Sequence, residues 1–65
     1  MINKFLCVVF TFYMLYKDQE YVGAEDIEEV AKECGVGYKF ALSVLQTSGA
    51  IKPWRNGIWK KSNMS

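Results

Sequence analysis

Apolar and polar positions divide the chain into four stretches. Phe5 to Tyr16 is a twelve-residue run in which only Thr11 is polar. Its length suits a buried helix, expected over residues 3–17, and falls well below the roughly 20 apolar residues that a membrane span needs. Lys4 ahead of the run resembles the start of a secretory signal, but Lys17-Asp18-Gln19-Glu20 follows in place of a small-x-small cleavage pattern. Phe5, Val8, Val9, Phe12, Leu15 and Tyr16 make one face at helical spacing. Leu6, Phe10, Tyr13 and Met14 are left on the other flanks. A helix apolar all round is usually buried all round, and 65 residues hold too little mass to cover both sides. A homodimer burying Leu6, Phe10, Tyr13 and Met14 is therefore expected.

Asp18 to Gly23 is a polar connection with a short extended stretch at Tyr21-Val22. A second helix is predicted over 24–34, where Ile27, Val30, Ala31 and Cys34 repeat at i, i+3, i+4 and i+7. Glu25, Asp26 and Glu28 open it, where the helix dipole favours negative charge. Gly35 closes it. After Gly35-Val36-Gly37 a third helix is predicted over 38–48, with Tyr38, Ala41, Val44 and Leu45 facing one way and Lys39, Ser43 and Gln46 the other. Gly49 stops it.

The last stretch, 50–62, reads as a hairpin about Asn56-Gly57, the pair that suits a type I′ turn with positive φ at both positions. A two-residue loop pairs Arg55 with Ile58 and sets Trp54 opposite Trp59, so a cross-strand Trp–Trp contact is expected. Pro53 marks an edge strand. Ser62 to Ser65 is expected to fray. The fold class is thus mainly α with a C-terminal β-hairpin, in one domain covering 1–65.

Charge changes this picture more than composition does. The net charge of +1 hides a separation. All seven acids (Asp18, Glu20, Glu25, Asp26, Glu28, Glu29 and Glu33) lie between positions 18 and 33. Residues 1–33 carry three bases against those seven, or −4, and residues 34–65 carry Lys39, Lys52, Arg55, Lys60 and Lys61 with no acid, or +5. Asymmetry of this kind points to a polyanionic partner; attraction between the two ends of one domain is the plainer alternative.

Candidate chemistry is sparse. Histidine is absent, which removes the commonest general base and metal ligand. No phosphate loop occurs, and the carboxylates of the second helix lie on a solvated face, so an enzyme is not expected. Cys7 and Cys34 fit no zinc spacing, so neither metal nor cofactor is implied. Their plain reading is two small buried hydrophobes in a reducing cytoplasm, with a disulfide as the alternative.

The order helix, acidic helix, glycine turn, helix, hairpin resembles a winged helix-turn-helix. Val30, Ala31, Cys34, Gly35, Val36, Ala41 and Val44 follow the pattern of a helix-turn-helix, and the resemblance spans Phe5 to Lys61. Val36-Gly37-Tyr38-x-x-Ala41 is also similar to the turn and recognition helix of the DNA-orienting domain of bacterial DNA translocases. Gly35 and Gly49 stand 14 residues apart, about one helical turn less than is common in winged helices, so the third helix is expected to be short. Some winged-helix repressors carry cysteines beyond the wing for an iron–sulfur cluster; this chain has none there.

The resemblance implies a small cytoplasmic transcription regulator, of a viral or plasmid type, that binds double-stranded DNA sequence-specifically as a homodimer. Tyr38, Lys39, Ser43, Gln46 and Thr47 would face the major groove, and Lys52, Arg55, Lys60 and Lys61 on the wing would meet phosphates and the adjacent minor groove. For Lys39, Ser43 and Gln46 a solvated helix face is the plainer alternative, and for Lys60 and Lys61 an edge strand guarded by charge. The acidic helix weighs against DNA, because Glu28, Glu29 and Glu33 repel phosphates if they face them. The competing function is a protein-interaction module that binds a partner protein through the acidic helix and the surplus aromatics.

Overall fold

A computed structural model describes residues 3–62. Helix α1 covers Lys4–Leu15, strand β1 Tyr21–Gly23, helix α2 Ala24–Cys34, helix α3 Tyr38–Thr47, strand β2 Ile51–Arg55 and strand β3 Ile58–Lys61. Three helices pack beside a three-stranded antiparallel sheet of order β1-β3-β2. The sheet is larger than a hairpin alone: the extended stretch at Tyr21-Val22 pairs with β3, Val22 opposite Trp59. That pairing makes β3 central and leaves β2, with Pro53, on the edge.

Local signals explain where each helix stops. Asn3 caps α1, its side-chain oxygen accepting the Leu6 N–H at 2.8 Å. The helix ends at Leu15, two residues before the predicted 17. Tyr16 has already left the helical conformation there, and the Lys61 ammonium donates to the carbonyls of Tyr16 and Lys17 at 2.6 and 2.8 Å. At the start of α2 the Gly23 N–H donates to the Asp26 carboxylate at 2.9 Å. Gly35, at φ 66°, closes α2: its own N–H reaches Lys32 O and the Val36 N–H reaches Ala31 O, a Schellman motif. Helix α3 has ten residues, about 15 Å of helix.

The core is wholly apolar among the described residues. Val8 and Phe12 of α1, Val22 of β1, Ile27, Val30, Ala31 and Cys34 of α2, Ala41, Val44 and Leu45 of α3, and Ala50 and Ile51 form one buried cluster. Phe12 is its largest fully buried side chain, with Tyr13 and Tyr16 rings at 5.4 and 5.8 Å. Of the face predicted for α1, Phe5 and Leu15 stand exposed near the helix ends, and Val8 and Phe12 carry the burial.

Three expectations for the C-terminal half are corrected. First, the turn is not of type I′. Only Gly57 has positive φ, at 76°, and Asn56 does not. Such a turn does not match the strand twist, and a bulge between Pro53 and Arg55 adds the missing twist. Second, that bulge abolishes the Trp–Trp pair. Pro53, not Trp54, stands opposite Trp59; Trp59 packs against the core, and Trp54 turns to Tyr21 at 5.5 Å between ring centroids. Third, Ser62 is held, its N–H donating to Ala50 O at 2.7 Å. The rest of the tail expected to fray, 63–65, lies outside the described residues.

Candidate functional site

Helix α3 exposes one continuous strip. Ala41, Val44 and Leu45 turn into the core, which by the 3.6-residue period leaves Lys39, Phe40, Ser43, Gln46 and Thr47 outward, all exposed. The polar members are four of the residues singled out in the sequence. Phe40, 45% exposed, joins them without having been singled out; its position one residue after Lys39 on the open arc was the available signal. Tyr38, the fifth residue expected on this face, lies elsewhere. It is half-buried against the core and lines a groove of about 520 Å³ with Glu25, Glu28 and Glu29 of α2. It therefore shares a groove with α2 instead of the outward strip.

The basic residues of the sheet divide into two kinds. Lys52 on β2 stands directly opposite Lys60 on β3, and Tyr21 flanks Lys60 from β1. Two like charges at paired positions repel. Lys60 leans over the Trp54 ring at 5.3 Å from its centroid, a cation–π contact. Tyr21, Lys60, Lys52 and Trp54 thus gather into an aromatic and basic patch. Arg55 and Asn56 are exposed at the hairpin tip. A groove of about 860 Å³ runs beside this patch, lined by Lys17, Lys52, Lys60 and Lys61 together with Asp18 and Glu20.

Lys61 differs from its neighbours. Its ammonium makes the two carbonyl bonds at the end of α1 and stands 5.9 Å from the Tyr13 centroid. It neutralises the negative end of that helix, so most of its donor capacity is spent inside the fold. Expected as a wing contact for DNA, Lys61 is first a clamp between β3 and α1.

On α1, Leu6, Phe10 and Met14 form an exposed apolar strip, Met14 at 70%. Tyr13 does not share it fully. It is half-buried, packed on Phe12, and burial raises its pKa above the ordinary tyrosine value. The Tyr16 hydroxyl donates to Asp26 O at 3.3 Å; burial first, then the Asp26 and Glu29 carboxylates, push its pKa up.

Among the described residues, no group of three or more His, Cys, Asp or Glu is placed to hold a metal ion, and no helix is long and apolar enough to cross a membrane. Comparison with known protein families, curated proteins and solved structures finds no match to this chain.

Proposed function

We propose that this chain is a winged helix-turn-helix protein of the small cytoplasmic transcription-regulator type, binding double-stranded DNA sequence-specifically as a homodimer. The observation that carries the proposal is the outward strip of α3: Lys39, Ser43, Gln46 and Thr47 on a helix that follows a glycine turn. Gln46 and Lys39 have the chemistry to read adenine and guanine edges. Lys52, Lys60 and Arg55 on the hairpin supply phosphate contacts, which give most of the affinity and make it salt-dependent. Phe40 adds an apolar contact of the kind that meets a thymine methyl.

The acidic helix opposes this, since Glu28, Glu29 and Glu33 are all exposed. A second copy offsets it. Pairing through Leu6, Phe10 and Met14 removes the exposed apolar strip from water and links two basic surfaces, so that the second contact becomes intramolecular.

The deciding experiment is a fluorescence-anisotropy titration with generic duplex DNA at about 50 and about 200 mM salt, where binding should weaken steeply. Lys39→Glu combined with Arg55→Glu should abolish binding and leave the circular dichroism spectrum unchanged. No binding at the lower salt, or full binding by the double variant, overturns the DNA reading. The homodimer is tested separately by sedimentation: Phe10→Glu should yield a monomer, and a wild-type chain that is already monomeric at high concentration overturns it. One observation favours the alternative of a partner protein. The groove beside Tyr38, lined by Glu25, Glu28 and Glu29 against a single cation, Lys32, suits a basic segment, and failure of the DNA titration would promote it.

A further inference from the structure

Cys7 and Cys34 are 27 residues apart in sequence, and the fold brings them together. Their sulfurs stand 2.7 Å apart with both thiols free. Cys7 is half-buried on the flank of α1, and Cys34 is 5% exposed as the last residue of α2. The Thr11 hydroxyl oxygen accepts from the Cys34 thiol at 3.5 Å and lies 3.9 Å from the Cys7 sulfur. Lys4 donates to the Cys34 carbonyl at 3.1 Å, which places an ammonium beside the pair. A disulfide bond is about 2.05 Å long, so the sulfurs need only a fraction of an ångström to reach bonding distance.

We propose that Cys7 and Cys34 form an oxidation site at which a hydroperoxide converts the thiol pair into an intramolecular disulfide stapling α1 to the C-terminal end of α2, next to the turn before α3. The site does not depend on what α3 binds. Two observations set the order of steps. Cys7 is the more accessible of the two, so its thiolate attacks the peroxide. The O–O bond breaks, one oxygen stays on the Cys7 sulfur as a sulfenic acid, and the other leaves as water or an alcohol. Burial pushes the Cys34 thiol up from its ordinary value, which keeps it protonated in the resting protein as the resolving partner. It then gives up its proton and attacks the Cys7 sulfur, the S–S bond forms and hydroxide leaves to become water. Two thiols lose two electrons and two protons, and one peroxide takes them up.

The consequence follows from position. Cys34 immediately precedes Gly35, and α3 starts three residues after that glycine. A bond to Cys7 fixes α1 against the segment that launches α3 and closes a long loop in the unfolded chain.

Hydrogen peroxide on the dilute wild-type protein is the test. Titratable thiols should fall from two to none, the intact mass should drop by two hydrogens without a cross-linked dimer, and dithiothreitol should reverse both. Melting temperature should rise by on the order of 15 °C on oxidation and return on reduction. In Cys34→Ser, dimedone should label Cys7 as a sulfenic acid. Persisting thiols, a product that is only an intermolecular dimer, or two oxygens located on a cysteine by peptide mapping, apart from any methionine sulfoxide, each overturn the site. An unchanged melting temperature in the oxidised protein overturns the staple. Should Cys34→Ser fail to fold, wild-type mass and thiol count still decide.

Discussion

Lys61 provides the sharpest separation between a lysine that holds the fold and one that waits for a ligand. Lys61→Met keeps the apolar stem and removes only the ammonium. That ammonium makes two hydrogen bonds, at 2.6 Å to Tyr16 O and 2.8 Å to Lys17 O, the first half-buried and the second exposed. Hydrogen bonds to a charged group contribute about 1.5–3 kcal/mol each. The exposed bond sits low in that range or below it, because water replaces the lost donor. The Tyr13 contact, 5.9 Å from the centroid, adds about 0.5 kcal/mol at most. Desolvation of the ammonium offsets part of the total, leaving a net loss of about 1–3 kcal/mol. In a chain of this size that lowers the melting temperature by about 5–20 °C.

Urea titration followed by Trp54 and Trp59 fluorescence measures the loss as a lower midpoint at unchanged slope. Lys52→Met is the control: its side chain is exposed, so it should shift stability by less than about 0.5 kcal/mol. The two variants should exchange ranks in DNA binding, where Lys52→Met lowers the salt slope by about one and Lys61→Met changes it less. Equal urea midpoints for Lys61→Met and wild type would refute the clamp.

Two further predictions come from the turn and from titration. Gly35→Ala forces a left-handed conformation on a residue with a Cβ and should cost about 1–2 kcal/mol. Gly37→Ser, at φ −79° on the uncapped N-terminus of α3, should gain a few tenths of a kcal/mol from a new cap; a denaturation series that ranks the two the other way defeats the assignment of Gly35 as the helix stop. Tyr13, Tyr16 and Cys34 all have folded pKa values raised above their ordinary ones, chiefly by burial. The native state therefore favours their protonated forms. Their contribution is complete below the unfolded values, about 8.5 for cysteine and about 10 for tyrosine, and is lost as pH rises through the folded ones. Melting temperatures taken in reducing buffer from about pH 7 to about pH 11 should be level at first and then fall; a rise above about pH 10 contradicts the burial of these groups.

The candidate site was legible in the sequence where one element decides exposure. Lys39, Ser43, Gln46 and Thr47 fall outward because Ala41, Val44 and Leu45 must fall inward, and helical period alone connects the two sets. Helical period also set Tyr38 beside Ala41, Val44 and Leu45, where it packs; only the resemblance moved it to the groove face. Lys61 was not legible in this way. The role of Lys61 depends on β3 lying across the end of α1, 45 residues earlier, which no local pattern encodes.

Sequence by itself determined the three helices to within about two residues of their ends, because apolar spacing, Gly35 and the acidic first turn of α2 act within one element. It also determined that α1 carries more apolar surface than one small core covers, and Leu6, Phe10 and Met14 remain exposed. Tertiary structure decided the rest. It recruited Tyr21–Gly23 as a third strand because β3 offered an edge to pair with, and it bulged β2 at Trp54 because a turn with one left-handed residue leaves the strands short of twist. It also brought Cys7 against Cys34. Each of these joins groups distant in sequence, and pairing at that range depends on the packed core, which no single segment contains.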